Sequence, residues 1–293
     1  MINGIIPVYK EAGKTSFFYV NQIKKIFHQK KVGHTGTLDP MVTGVLPICL
    51  GDATKLVPFL MEKHKSYSCT ILIGRATETE DLDGKEIAKI KVKDRISDLT
   101  IDDILETFKG ENEQVPPFFS AVRYHGKHLY EYARENIFIK KPARSFHILS
   151  INRTSSVKYH HDFTCEFKFE VVCSKGTYIR TLCTQIGQKL GYPAVMKKLV
   201  RTSGGGFNLD QTVKLDQIKA NLNVVKSLEE ILFDLPKFDL TDSQFLRVRN
   251  GAKIKIPVKE DLLVLKYSDR VVAIYEKKGS FFQAKTMFLE NIK

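Results

Sequence analysis

One carboxylate stands apart from the others. Between Glu11 and Asp52 the only acidic residue is Asp39, and Lys14, Lys24, Lys25, Lys30, Lys31, His28 and His34 surround it along the chain. Positive neighbours favour the ionised form, so a fold that brings this charge close would leave Asp39 a ready anion. Pro40 restrains the Asp39 backbone to extended conformations, and the glycines of GHTGTLDPMVTGVLPICLG permit tight turns around it. Taken alone, an Asx turn in a surface loop would be the ordinary reading of such an aspartate. A second candidate lies downstream, where the turn SKGT is followed by Tyr178 and Arg180.

Several other spacings imitate known sites and fail. Gly13-Lys14-Thr15 ends like a phosphate loop, but the glycine that motif requires is Val8. Asp81-Leu82-Asp83-Gly84 resembles part of a calcium loop, yet Thr79 stands at the first ligand position and Ile90 at the bidentate one. His160 and His161 are adjacent, so in a strand they point to opposite faces and cannot share a zinc ion. The five cysteines form no CxxC pair and lie mostly among apolar residues, which predicts buried free thiols and a reducing compartment.

The elements that position these residues are legible from periodicity. Thr15 and Ser16 are capping types, and Phe17, Val20, Ile23 and Phe27 follow at helical spacing. The glycines and Pro40 argue against a long regular element before Val45. From Phe163 to Cys173 apolar and polar residues alternate, predicting a strand with one buried face. Ile179, Leu182, Cys183, Ile186 and Leu190 then describe a helix ending at Gly191, with Tyr178 and Arg180 in or near its first turn. After Pro236 the chain changes character: RNGAKIKIP, LLVLKY, DRVVAIYEKKG and FFQAKTMF read as short strands. The boundary falls near residue 237 and leaves about 57 residues, a small unit that needs docking or a very regular core.

At 293 residues the chain has room for two domains, and its 43% hydrophobic and 27% charged content is that of a globular protein. No apolar run reaches the roughly 18 residues of a membrane helix, and MINGIIPVYKEAG has no export signal. The expectation is a soluble protein of the cytoplasm. Its net charge of +13 is unevenly placed: residues 1–65 carry +5, 66–139 carry −4, 140–205 carry +9 and 206–293 carry +3. Two basic segments flanking an acidic one predict a directed positive surface suited to a phosphate backbone.

GHTGTLDPMVTGVLPICLG closely resembles the catalytic motif of the TruB family of tRNA pseudouridine(55) synthases, in which the aspartate is essential, and Asp39 occupies that place. The resemblance continues, in family order, through KSYSCTILIGRATETEDLDG, QVPPFFSAVRYHGKHLYEYAR, CSKGTYIRTL and LVRTSGGGF, covering most of residues 5–207. It implies an α+β pseudouridine synthase fold with a mixed, largely antiparallel sheet in residues 1–236, an RNA-clamping insertion at about 114–144, and a small β-rich, PUA-like RNA-binding domain in residues 237–293. It also implies isomerisation of uridine 55 in the T loop of tRNA after base flipping, without cofactor, metal or guide RNA, by an enzyme acting as a monomer.

Roles follow from the resemblance position by position. Asp39 starts glycosidic cleavage as nucleophile or base. Tyr67 stacks on the target base and helps remove the C5 proton, for which a phenol of pKa about 10 needs assistance. Arg180 pairs with Asp39 in a bidentate contact, and Leu199 is the apolar floor beneath the base. Lys10, His34 and Tyr178 complete the substrate contacts, His34 at the disrupted T loop. Three positions depart from the family pattern: Glu11 replaces proline, Val42 replaces alanine and Gln185 replaces aspartate. The alternative from another class is a tRNA-binding folding factor with catalysis secondary or lost.

Overall fold

The computed structural model describes residues 2–120, 122–135, 137 and 139–288. Seven strands form the path of the main sheet, in the order Gly4–Lys10, Thr43–Leu50, Ala194–Gly204, Lys65–Ile73, Cys165–Cys173, Arg144–Arg153 and Gly110–Gln114. All neighbours run antiparallel except Ala194–Gly204 and Thr43–Leu50, which pair in parallel through Val200 and Arg201. The sheet is thus mixed and largely antiparallel, as expected. Its strands are specified by alternation: Cys165, Phe167, Phe169, Val171 and Cys173 are all buried, in one core with Tyr19, Ile23, Leu182 and Ile186 of two helices.

Those helices are Ser16–Ile26 and Ile179–Leu190. The second ends at Gly191, whose φ of 80° provides the left-handed cap that glycine adopts without strain. The first is capped by Thr15, whose hydroxyl accepts the Phe18 N–H, and of the expected inner stripe Val20, Ile23 and Phe27 are buried while Phe17 is not. Phe17 is exposed beneath the Lys24 ammonium, and Ser16, Tyr19, Val20 and Ile23 face inward. Phe163 likewise lies outside the strand predicted to begin there. It sits in a turn at φ 61°, its amide donating to the His160 carbonyl, and the strand starts at Cys165.

The inward position of Ser16 matters for the loop that carries Asp39. Its buried hydroxyl accepts the Leu38 N–H at 2.9 Å and donates to the Leu38 carbonyl at 3.1 Å. After Asp39 the chain enters the Thr43–Leu50 strand earlier than the glycines predicted. Gly44 is part of that strand at φ 111°, because a Cβ there would lie 2.2 Å from the Arg201 carbonyl oxygen. Absence of a side chain lets the parallel pair close at this point.

The tail forms a four-stranded sheet in the order Lys237–Asp239, Leu262–Tyr267, Arg270–Lys278 and Phe281–Met287. RNGAKIKIP is not a strand. Arg249 ends a helix, Asp242–Arg249, and Gly251 turns the chain at φ 70°, after which Ile254 makes a single bridge to Phe282. Val264, Val271, Ile274 and Phe288 of the tail share a core cluster with Ile5, Val45, Leu60 and Leu228, so this small unit is docked on the rest of the chain. Residues 289–293 lie outside the described residues. The segment 114–144 holds a short hairpin, Arg123–Tyr124 with Lys127–His128, and the helix Leu129–Arg134.

Ser16→Ala removes one oxygen and leaves both polar groups of the Leu38 peptide unpaired. The expected loss is about 2–4 kcal/mol of unfolding free energy, measured by denaturant titration. A loss below about 0.5 kcal/mol would show that the hydroxyl does not anchor the loop.

Candidate active site

Asp39 lies on the wall between two cavities, of about 300 and 360 Å³. Its carboxylate, 40% exposed, meets the buried Arg180 side chain through Oδ2 and Nε at 3.0 Å. The pair is not bidentate. Arg180 Nη1 donates to the Thr79 carbonyl at 2.9 Å and Nη2 to the Phe119 carbonyl at 2.8 Å, which leaves Nε as the contact to Asp39. Asp81 adds a second carboxylate 3.6 Å from Nη1. The guanidinium fork is therefore divided among the Asp39 loop, the loop before Asp83 and the insertion.

The environment of Asp39 is also less cationic than its sequence neighbours predicted. Its pKa is raised, first by burial, against which Arg180 and Lys10 act; Asp81 and Asp83 add to the rise. The lysines at 14, 24, 25, 30 and 31 are not among the groups that act on it most strongly. Ionisation is instead supported by Arg180 and Lys10.

Lys10, expected among the substrate contacts, has no exposed surface. Its ammonium donates to the carbonyls of Pro40 and Val42, both at 2.7 Å, and of Glu11 at 3.2 Å. Burial, opposed by Asp39 and reinforced by Arg201, lowers its pKa to about 8. Lys10 and Ser16 thus hold the peptide groups on both sides of Asp39. Lys65, Arg180 and Arg201 are buried as well, so several cations of the two basic segments are interior and do not contribute to an outward positive face.

The first cavity brings several of the expected residues together. Tyr67, Tyr178 and Leu199 line it together with Asp39, Arg180 and Arg201. Tyr67 is on the Lys65–Ile73 strand with its ring buried, and burial pushes its phenol up to about 12 despite the opposing charge of Arg201. Leu199 pairs with Cys69 on the adjacent strand and Tyr178 caps the Ile179–Leu190 helix. His34 does not line either cavity. It ends the short strand Val32–His34, its Nδ1 accepts the Gly36 N–H at 3.2 Å, and burial with the charge of Arg201 lowers its pKa.

The departures from the family pattern have local partners. Glu11 donates its backbone N–H to the Tyr19 hydroxyl at 2.8 Å, a bond that proline lacks. Val42 is buried and lines both cavities. Gln185 donates through Nε2 to the Glu113 carbonyl at 2.9 Å, a bond an aspartate has no N–H to make.

Three residues of this centre escaped sequence reasoning. Ser16 was legible only as a cap, Asp81 only as a failed calcium ligand, and Arg201 only as part of LVRTSGGGF. An arginine directly after the apolar pair Leu199-Val200 was the available signal for a buried charge.

Residues 24–179 match the N-terminal domain of the TruB family pseudouridylate synthases, and residues 180–235 match the C-terminal domain of tRNA pseudouridylate synthase B. The chain belongs to the TruB family. Its relatives include the tRNA pseudouridine synthase B proteins of Bacillus pumilus, 46% identical with 94% of each chain covered, and of Lactobacillus acidophilus, 42% identical over 99% of this chain and all of that one. Among solved structures, a chain of a Cbf5-Nop10-Gar1 complex is 25% identical with a TM-score of 0.73, covering 99% of this chain and 86% of that one. A chain of an H/ACA RNP bound to a substrate RNA containing 2'-deoxyuridine has a TM-score of 0.71 at 24% identity, covering 97% and 84%, and shares the fold. The family's C-terminal match ends before the tail sheet, within the part of the chain that contains the main sheet.

The depressed Lys10 pKa has a pH signature. Below about 8 both folded and unfolded chains carry the proton and the folded state bears the burial penalty. Between about 8 and 10.5 the unfolded chain holds more protons, so this group's contribution to stability rises with pH. The unfolding free energy of wild type relative to Lys10→Met should therefore rise by about 2 kcal/mol from pH 7.5 to 10. A constant difference would mean that the ammonium is not the buried, titrating group.

Proposed function

We propose that this chain isomerises uridine to pseudouridine at position 55 in the T loop of tRNA, acting alone, without a guide RNA, as a cytoplasmic monomer. The observation that carries the reading is the Asp39–Arg180 pair at 3.0 Å, set where a cavity lined by Tyr67 and Leu199 opens to solvent. The buried free thiols suit a reducing compartment.

The reaction moves one bond. The bond from ribose C1′ to uracil N1 breaks, the base turns, C1′ joins C5, and the hydrogen lost from C5 is balanced by one gained at N1. No electrons leave the substrate, so no redox cofactor is required. Because a base in a folded loop is inaccessible, the uridine is extruded into the cavity, with its face against Tyr67 and Leu199. Asp39 then acts as nucleophile or base, and Arg180 holds the carboxylate charged and aimed. Tyr178 and His34 belong to the contacts that receive the flipped nucleotide and the loop it leaves. Lys10 acts on the RNA indirectly, through the loop that bears Asp39.

The segment 114–144 is the clamp on the RNA, and the tail from 237 to 293 is a second, PUA-like RNA contact. A folding factor that only grips tRNA would gain nothing from a carboxylate held against its own burial by Arg180 and Lys10. Taking such charges out of water costs stability that binding alone does not need.

Unmodified tRNA incubated with the protein alone should acquire pseudouridine at position 55 and nowhere else, read by chemical mapping; a product elsewhere, or none, would overturn the reading. With Asp39 ionised in the active form, single-turnover rate should fall on the acid side at a pH above the ordinary carboxylate range of about 4. Asp81→Asn removes a like charge and should shift that limb to lower pH, whereas an upward shift would assign the limb to another group.

A further inference from the structure

Arg201 is among the largest fully buried side chains of the protein. Among the described residues no carboxylate comes within ion-pair distance of its guanidinium, in contrast to Arg180. Its Nε donates to the Val45 carbonyl at 2.7 Å and its Nη2 approaches the Gly36 carbonyl at 3.3 Å. Gly204 leaves room for it: an added Cβ there would lie 3.1 Å from Nε, a tight contact. A buried cation without an acidic partner is costly, and the surroundings are shaped to keep this one.

Its placement points to a use. Arg201 and Tyr67 are direct cross-strand partners of the Ala194–Gly204 and Lys65–Ile73 strands, and the guanidinium favours the ionised phenol. Both line the cavity beside Asp39. Asp39 and Cys173 act against ionisation of the phenol, and Arg201 is the largest charge acting for it. Arg201 is therefore the strongest cationic support available to a Tyr67 phenolate.

Resting on the proposed isomerisation, we infer that Arg201 is a positioning residue that works through Tyr67, fixing the phenol over the cavity and balancing its negative charge when it serves as acceptor of the C5 proton. Once C5 has joined C1′, the C5–H electron pair forms the C5–C6 double bond. The N1–C6 double bond becomes a lone pair on N1, which takes up a proton, and the proton from C5 passes to the Tyr67 oxygen. The phenolate is regenerated by release of that proton to water. Proton number is conserved and no oxidant enters.

The test compares wild type, Arg201→Lys and Arg201→Met in single-turnover reactions at saturating tRNA, made with uridine or with 5-deuterated uridine. Loss of the cation should slow Arg201→Met at least about a hundredfold and raise its deuterium isotope effect above that of wild type, since C5 deprotonation becomes limiting. Arg201→Lys keeps the charge and should recover to within about tenfold of wild type, with a smaller isotope effect than the methionine variant. Should Arg201→Met fail to fold, an isotope effect above wild type in Arg201→Lys is the required result. Slowing with an unchanged isotope effect, or no slowing, would overturn the inference and make Arg201 a packing residue. Wild type that forms no pseudouridine would overturn the isomerase reading and this inference together, and that outcome appears in the control arm.

Discussion

Arg180 has one guanidinium and four oxygen partners that belong to three separate segments. Its nitrogens reach Asp39, the Thr79 carbonyl, Asp81 and the Phe119 carbonyl. The Asp39 loop, the loop that follows the Arg75–Thr77 strand, and the segment around Phe119 are therefore tied to the first turn of one helix. That helix is placed by its own apolar face, Leu182, Cys183 and Ile186, against the sheet. An arginine suits the task because its donors diverge in a rigid plane, so several acceptors are satisfied from one fixed point. Geometry at Asp39 thus depends on packing that involves none of the polar residues.

The loop itself is fixed from below. Ser16 engages Leu38, and Lys10 engages Pro40 and Val42, so peptide groups on both sides of Asp39 are held while its carboxylate stays free of local bonding. This division separates support from chemistry. The supporting cation Lys10 bears a burial cost visible in its depressed pKa, and Arg201 bears another. Stability is given up at these positions to preorganise a charge pattern that water would otherwise screen.

Sequence pattern made the scaffold legible wherever one physical rule decided the outcome. Alternation located the Cys165–Cys173 strand and apolar spacing located the Ile179–Leu190 helix, because burial of one face fixes the period. It misplaced Phe17 and Phe163 because an aromatic ring is also stable at the surface under a lysine, as both are here. The helix Asp242–Arg249 was hidden because its weak apolar face gives little periodic signal, although Thr241 and Gln244 form a capping box. For the site, the motif placed Asp39, Tyr67, Arg180 and Leu199 around one cavity. The inward turn of Lys10 was not legible, since its partners lie some thirty residues away in a loop. Nor was the Arg201–Tyr67 pairing, which exists only in the register of two strands distant in sequence.

In the proposed reaction the charge of Asp39 does the chemistry, while the surrounding residues hold it and the RNA is bound elsewhere. Asp39→Asn keeps the shape of the side chain and removes that charge. Pseudouridine formation in a single turnover and tRNA affinity, measured on one preparation, test this division of roles directly. The expected result is no detectable conversion, with a dissociation constant within about tenfold of wild type, equivalent to about 1.4 kcal/mol. An asparagine variant that still converts tRNA at a rate near wild type would contradict it.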